Sequence, residues 1–172
     1  MAPLVWARHV GAAQALAYGA ERMAARAADG DWIVADPGQG AVAGLMSHAL
    51  PPEPLPIPND IDPLFLPLQM LENLVPGSWY VHVLATDPAH RGQGWGGRLL
   101  ALADARAQAS GVRRLSIIVA DDNHAARRLY ARHGFCQIDH RCACTEGWET
   151  ETRSWLLLAK PLDPQGTPVA KA

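Results

Sequence analysis

Apolar and polar residues alternate along this chain in segments that end at glycine or proline. An alanine-rich stretch with few breakers predicts a helix over residues 7–28. Two apolar runs, 32–35 and 41–46, flank a Pro/Gly-rich turn and predict a β-hairpin. Seven prolines predict an extended loop over residues 51–67. A short helix is expected over 64–75, with an inward face formed by Leu68, Leu71 and Val75.

The second half of the chain shows clearer patterns. A β-rich run over 79–84 predicts a strand, and an Ala/Leu/Arg segment over 95–110 predicts a helix. Two further strands are expected over 135–144 and 155–158. The tail over 161–172 contains prolines and a glycine and is expected to be disordered. Residues 1–160 are therefore expected to form a single domain.

Length and composition are typical of one soluble globular domain. The 172 residues are 49% hydrophobic and 19% charged. Apolar runs fall short of the roughly 18–20 residues of a membrane span, and a basic region typical of a signal peptide is absent at the start. Three cysteines, an odd number, argue against a disulfide framework and favour a reducing compartment. We therefore expect a cytoplasmic protein without a membrane partner.

Charge is distributed unevenly along the chain. The formal net charge is only −2, yet residues 91–132 carry eight arginines against three aspartates. A basic segment of this kind suits a polyanionic ligand, although solvated arginines on outer helix faces give the same pattern. Aromatic residues do not interleave with the basic ones, and the whole chain is acidic, so a nucleic-acid partner is not indicated.

The glycine-dense loop before the helix over 95–110 carries the strongest functional signal. Its four glycines remove side chains where a helix begins, so that unpaired N–H groups can close on an anion. The helix dipole and Arg91 add positive potential at the same place. Residues 91–97 therefore predict a pyrophosphate cradle.

Two common phosphate-binding patterns fit this loop poorly. Gly92-x-Gly94-x-x-Gly97 satisfies the dinucleotide-binding pattern, but residues 112–114, near which an acidic residue should hold the ribose, are Val-Arg-Arg. The Walker pattern fails because Gly97 is followed by Arg-Leu in place of Lys and Ser/Thr. A nicotinamide or flavin cofactor is the weaker interpretation.

Two motifs in the right order, about 30 residues apart, give the loop a family context. They are Arg91-x-x-Gly94-x-Gly96 and Asn123-x-x-Ala126-x-x-Leu129-Tyr130-x-x-x-Gly134-Phe135. Together they resemble the GNAT superfamily of N-acetyltransferases, most strongly over residues 79–135. The resemblance implies a strand over 114–119, a helix over 122–135 and an α/β (α+β) fold. Its central sheet is mixed, mostly antiparallel, splayed in the middle and flanked by helices. Residues 1–5 are too short and Pro-broken to supply the strand that usually opens the fold.

The resemblance implies that acetyl-CoA donates an acetyl group to a primary amine of a small molecule or peptide, by direct attack and without a metal. The alternative is a non-catalytic acyl-CoA-binding or regulatory module of the same fold. The residues that the resemblance assigns to acetyl-CoA are Leu84, Ala85, Thr86, Arg91, Gly92, Gln93, Gly94, Trp95, Gly96, Gly97, Asn123 and Tyr130. The identity of the amine and the choice between monomer and homodimer stay open.

Two catalytic roles also follow from the resemblance. The backbone N–H of Leu84 is implied to stabilise the tetrahedral oxyanion. Tyr130 is implied to be the general acid for the departing thiolate, since a phenol is a plausible donor to a nascent thiolate. Outside the motif, Tyr130 fits an amphipathic-helix tyrosine that packs inward.

The base that deprotonates the amine is the least determined role. The strand over 79–86 contains no carboxylate, and alternation places Tyr80, His82 and Leu84 on one face. His82 is the candidate base, directly or through water, because imidazole titrates near neutral pH. A packing histidine fits the pattern equally well. His48 and Glu72 are more distant candidates.

The cysteines raise the hypothesis of a metal site. Cys136, His140, Cys142 and Cys144 share parity and would point to one face of a strand. Zinc sites favour turns that converge their ligands, whereas a flat strand spreads them by about 6–7 Å per pair. Small buried apolar side chains are the better interpretation, so we expect no metal.

Overall fold

The computed structural model describes residues 31–145 and 150–162, together with residue 14. The helix expected over 7–28 and residues 163–172 of the expected tail lie outside this part of the chain. In chain order the elements are β1 (Asp31–Ala35), β2 (Ala43–Ala49), α1 (Leu66–Glu72), β3 (Trp79–Thr86), a 3-10 turn (Pro88–His90), α2 (Trp95–Ala109), β4 (Arg114–Ala120), α3 (His124–Arg132), β5 (Cys136–Cys142) and β6 (Ser154–Pro161).

The six described strands form one mixed sheet in the order β1-β2-β3-β4-β6-β5. β3 and β4 are parallel, and every other neighbouring pair is antiparallel. α2 makes the crossover that a parallel pair of consecutive strands requires. The expected mixed, mostly antiparallel sheet flanked by helices is confirmed.

Two elements differ from their predicted bounds. α1 covers Leu66–Glu72 and is shorter than the expected 64–75, although Leu71 and Val75 are fully buried as predicted. β6 extends through Pro161, and the N–H of the buried Leu162 donates to the Arg113 carbonyl at 2.9 Å. Ordered chain therefore continues two residues into the segment that composition assigns to the tail.

Two apolar clusters lie on opposite faces of the sheet. The front face, which includes Leu115, Ile117 and Val119 of β4, is covered by α2 and α3. The back face, which includes Ile118 and Ala120, is covered by α1 among the described helices. Adjacent residues of β4 thus point to opposite clusters, which is the period-2 pattern of a strand buried on both sides.

β3 and β4 pair only along their first residues. Their parallel register runs from Trp79 opposite Leu115 to Val81 opposite Ile117 and then ends. β3 nevertheless continues to Thr86 beside β2, and the whole of β4 remains paired with β6. The two central strands therefore diverge toward their carboxyl ends, and the expected splay of the sheet is confirmed.

A β-bulge lies where this divergence begins. β3 carries one extra residue, His82, opposite the step from Met46 to Ser47 on β2. A bulge reverses the alternation of the residues beyond it. Leu84 consequently packs against the front cluster, whereas Tyr80 packs into the back one. The expectation that Tyr80, His82 and Leu84 share one face is therefore wrong for Leu84.

A second bulge, at Ile138, reverses the alternation of side chains along β5. The cysteines and the histidine expected on one face therefore do not all share it. On β5, Cys136 pairs with Ala159 and His140 with Leu156, so the two side chains belong to opposite faces. Cys136 and Cys142 are also exposed, unlike the buried cysteines that composition predicts. The shared face on which the zinc hypothesis depends does not form.

Candidate active site

The gap between β3 and β4 is lined by backbone groups of β3. Asp87 N–H donates to the Val42 carbonyl at 2.8 Å, which fixes the hydrogen-bonded positions of the β2–β3 ladder. Because such positions alternate in an antiparallel pair, Leu84 and Thr86 occupy the positions that do not bond to β2. Their N–H and C=O groups point away from β2, into the gap that opens beyond Val81.

A tight turn follows β3. The Asp87 carboxylate accepts hydrogen bonds from the Ala89 N–H at 2.9 Å and from His90 Nδ1 at 3.2 Å. The hydrogen bond from His90, followed by that from Ala89, lowers the pKa of Asp87. Arg91 Nε then donates to the Thr86 carbonyl at 3.5 Å. The turn therefore holds the exposed Arg91 at the end of β3, next to the gap.

The glycine-dense loop delivers the N-terminus of α2 to the same place. Gly92 and Gly94 have φ of +77° and +84°, a left-handed conformation that strains other residues. The first hydrogen bond of the helix runs from Arg98 N–H to the Gly94 carbonyl at 3.1 Å. The N–H groups of residues 95–97 precede that bond and so lack partners inside the helix. A helix end with free N–H groups of this kind is able to bind an anion.

Gly96 and Gly97 serve helix packing as well as the loop. A Cβ at Gly96 would lie 2.9 Å from Cδ2 of Leu129, and one at Gly97 would lie 3.1 Å from Nε2 of His133. Leu129 lies in α3, and His133 is the C-cap residue of that helix. The missing side chains at these two positions therefore also let α3 pack close to the start of α2, a role that the sequence interpretation did not include.

Asn123 is the N-cap residue of α3. Its side-chain oxygen accepts from the Ala126 N–H at 3.2 Å. The preceding turn is tied to the segment just before β6, since Asp121 accepts from Arg153 N–H and Asp122 from the Thr152 hydroxyl, both at 3.0 Å. These bonds place the start of α3 at the carboxyl end of β4, beside the gap.

Tyr130 is buried in the front cluster. It is 5% exposed, and its ring centroid lies 5.8 Å from that of Phe135. Leu84 packs against the same cluster, so the structure places the two predicted catalytic positions on the same side of the sheet. Burial raises the pKa of Tyr130 to about 12. The phenol is therefore protonated across the physiological range.

Three rings gather on the back face at the bulge. The ring of His82 lies 5.8 Å from Tyr80 and 6.1 Å from His48, and His48 lies 5.8 Å from Tyr80. His48 is thus a direct neighbour of His82, whereas the sequence suggested a more distant candidate. Strand pairing alone could have joined His48 to Tyr80, its partner in the β2–β3 register. The bulge that adds His82 has no sequence signature.

Neither a metal site nor a membrane span is found within the described ranges 31–145 and 150–162. Those residues contain no group of three or more His, Cys, Asp or Glu side chains able to hold a metal ion. Their helices are also too short or too polar to cross a bilayer.

Comparison with solved structures identifies the fold. An acetyltransferase from Bacillus subtilis in complex with CoA is similar, with a TM-score of 0.62, 13% identity and 83% of each chain covered. A GNAT family acetyltransferase from Elizabethkingia anophelis with acetyl-CoA bound matches with a TM-score of 0.59 and 18% identity, over 83% of this chain and 82% of that one. The ribosomal-protein-S18-alanine N-acetyltransferase from Escherichia coli also has a TM-score of 0.59, with 17% identity, over 89% and 82% of the two chains.

Sequence comparison supplies the family. No curated protein matches this sequence at a significant level. The sequence pattern of the Acetyltransferase (GNAT) family matches residues 6–135, which is most of the chain. Both motifs and the diverging strands β3 and β4 lie within that match, and β5 and β6 follow it. The chain therefore belongs to the GNAT acetyltransferase family.

Proposed function

We propose that this acetyltransferase transfers the acetyl group of acetyl-CoA to the nitrogen of a primary amine on a small molecule or peptide. The observation that carries the proposal is the opening between β3 and β4 beyond Val81 and Ile117, next to the N-terminus of α2. This arrangement offers one site for an anion and one for an extended amide-containing chain. Acetyl-CoA contains both, as a pyrophosphate and a pantetheine arm.

The residues present fit this co-substrate. The unpartnered N–H groups of residues 95–97 and the exposed Arg91 suit the pyrophosphate. Gly92 and Gly94 leave open space, since a Cβ at either position would meet nothing within 4 Å. The backbone groups of Leu84 and Thr86 point into the gap and suit the pantetheine amides.

Direct attack needs an oxyanion donor and an acid. The amine nitrogen forms a bond to the thioester carbon, and the Leu84 N–H stabilises the oxygen that becomes negative. The C–S bond then breaks, the nitrogen loses its extra proton as the amide forms, and that proton ends on the departing sulfur, to which Tyr130 donates a hydrogen bond. With a pKa of about 12, Tyr130 lies above the roughly 8.5 of a simple thiol, so it acts mainly by hydrogen bonding to the thiolate.

The amine reaches the gap from the back face. α2, α3 and Tyr130 occupy the front face, whereas the rings of His48, Tyr80 and His82 gather on the back. His82 therefore approaches the reacting carbon from the side opposite the cofactor cradle. An imidazole there can accept the proton that an ammonium must lose before it attacks, directly or through water.

Product analysis of the purified chain tests the proposal. Acetyl-CoA is incubated with panels of polyamines, aminoglycosides and peptides, thiol release is recorded, and the acetylated atom is identified by mass spectrometry. We expect amine-dependent thiol release with the acetyl group on nitrogen.

Tyr130→Phe separates an enzyme from a non-catalytic acyl-CoA-binding module. An enzyme should lose turnover by about 10²-fold or more while its affinity for acetyl-CoA changes little. A chain that binds acetyl-CoA tightly and acetylates no amine in the panels would favour the binding module.

A further inference from the structure

A cavity lies on the outer side of α3, between this helix and the strands β5 and β6. Its volume is about 410 Å³, within the range of small-molecule sites. The helix contributes His124, Arg127 and Arg128 to its wall. Phe135 and Leu158 contribute apolar surface.

This cavity is distinct from the acetyl-CoA gap. α3 and its C-cap turn Leu129 and His133 toward the start of α2, where they would meet a Cβ at Gly96 or Gly97. The residues that line the cavity, Arg127 and Arg128 among them, occupy the other side of the helix. α3 therefore separates the two sites.

Among the described residues, no carboxylate neutralises the two arginines of the cavity. Arg127 donates to the Asp121 carbonyl at 2.8 Å, which fixes its guanidinium without cancelling the charge. Within residues 31–145 and 150–162, no carboxylate forms an ion pair with Arg127 or Arg128. The carboxylate of Asp139, on the neighbouring strand, pairs with Arg141 instead.

We propose that this cavity binds a small organic anion whose carboxylate or phosphate group pairs with Arg127 and Arg128. Both guanidinium groups present forks that match an oxyanion, and the exposed His124 adds a further donor. The body of the ligand packs on the exposed Ala131 and on the small parts of Phe135 and Leu158 that remain exposed, 4% and 6%. The cationic rim selects an anion over neutral molecules of the same shape.

Calorimetric titration of the full chain with benzoate and with phenyl phosphate tests this site. Acetyl-CoA is kept at saturation, so that the cradle is blocked, and its own binding is measured first as a separate result. We expect saturable binding of at least one anion, with benzyl alcohol at least tenfold weaker. Comparison of the two anions tells a carboxylate site from a phosphate site.

Three variants locate the binding. Arg127→Gln combined with Arg128→Gln should weaken anion binding by tenfold or more. Ala131→Trp should block it by filling the cavity, with both arginines retained. Arg132→Gln, on an exposed part of the same helix outside the cavity, should leave the affinity unchanged. Circular dichroism and the acetyl-CoA affinity check that each variant is folded.

Two results would overturn the proposal. One is the failure of both anions to saturate a protein that binds acetyl-CoA. The other is an equal loss of affinity in Arg132→Gln and in the double variant, which would show attraction to the basic helix as a whole. Either result leaves the proposed acetyltransferase activity unaffected.

Discussion

Val81 and Ile117 form the last parallel pair between β3 and β4, and beyond them the two strands separate. Just before this pair, the hydroxyls of Ser78 and Ser116 share a hydrogen bond of 2.7 Å, and both serines are buried. A buried polar pair thus closes one end of the central seam, while the other end opens toward α2. The gap is a consequence of where strand pairing stops.

The serine pair gives a prediction about the closed end of the seam. Ser78→Ala leaves the Ser116 hydroxyl buried without this partner and should cost about 1–3 kcal/mol of unfolding free energy. The double variant with Ser116→Ala should recover part of that loss, because neither side then buries an unmatched hydroxyl. Urea unfolding of Ser78→Ala, Ser116→Ala, the double variant and the unmutated protein measures the coupling. Strictly additive losses would show that the bond contributes nothing.

Gly94 gives a prediction about the cradle. Its φ of +84° makes Gly94→Val strained, at a cost of about 1–3 kcal/mol, and the new side chain crowds the space for the pyrophosphate. Gly111, at the other end of α2, has a φ of +71° and equally open surroundings, so Gly111→Val is a matched control for strain. Both variants should lose stability, but only Gly94→Val should also bind acetyl-CoA at least tenfold more weakly. Equal affinities would contradict the cradle assignment.

Tyr130 gives a prediction about alkaline stability. Its pKa is raised from 10.0 to about 12 in the folded protein, so the unfolded chain loses the phenolic proton first. The stabilisation is complete below pH 10 and is lost as the pH rises toward 12, by about 3 kcal/mol in total. Tyr130→Phe should lack this component. Between pH 10 and pH 12, the unfolding free energy of the unmutated protein should therefore fall relative to that of the variant. A constant difference would contradict the burial of an ionisable phenol.

His82 gives a prediction about pH dependence. If it is the base, kcat/KM should fall on the acid side, over about pH 5–8 where imidazoles titrate, and His82→Gln should lower it by about 10²-fold and flatten that limb. His48→Gln should have a smaller effect, since His48 contacts the ring of His82 rather than the gap. If kcat/KM of His82→Gln falls on the acid side as it does in the unmutated protein, another group accepts the proton.

The sequence predicted the features that depend on local pattern. The strand before the loop and the helix after it follow from turn chemistry and periodicity, and each lies where it was expected. The splay of the sheet followed from the family resemblance. The strand and the helix, unlike the splay, are features that short stretches of chain specify by themselves.

The remaining features depend on contacts between distant segments. The bulges at His82 and Ile138 arise from how each strand meets its neighbour, and each reverses an alternation that is regular in the sequence. The packing role of Gly96 becomes evident only when α3 is placed against it. The proximity of His48 to His82 likewise requires both the hairpin register and the bulge. Periodicity within one segment carries no information about such pairings.

Isothermal titration of the full chain with acetyl-CoA, with NADH titrated in parallel, tests the central claim most directly. The unpartnered N–H groups at the start of α2 and the backbone groups of Leu84 and Thr86 predict saturable binding of acetyl-CoA. NADH also carries a pyrophosphate, but it has no pantetheine arm to pair with β3, and it should not bind measurably. A folded protein that fails to bind acetyl-CoA, or that binds NADH equally well, would contradict the assignment of the gap.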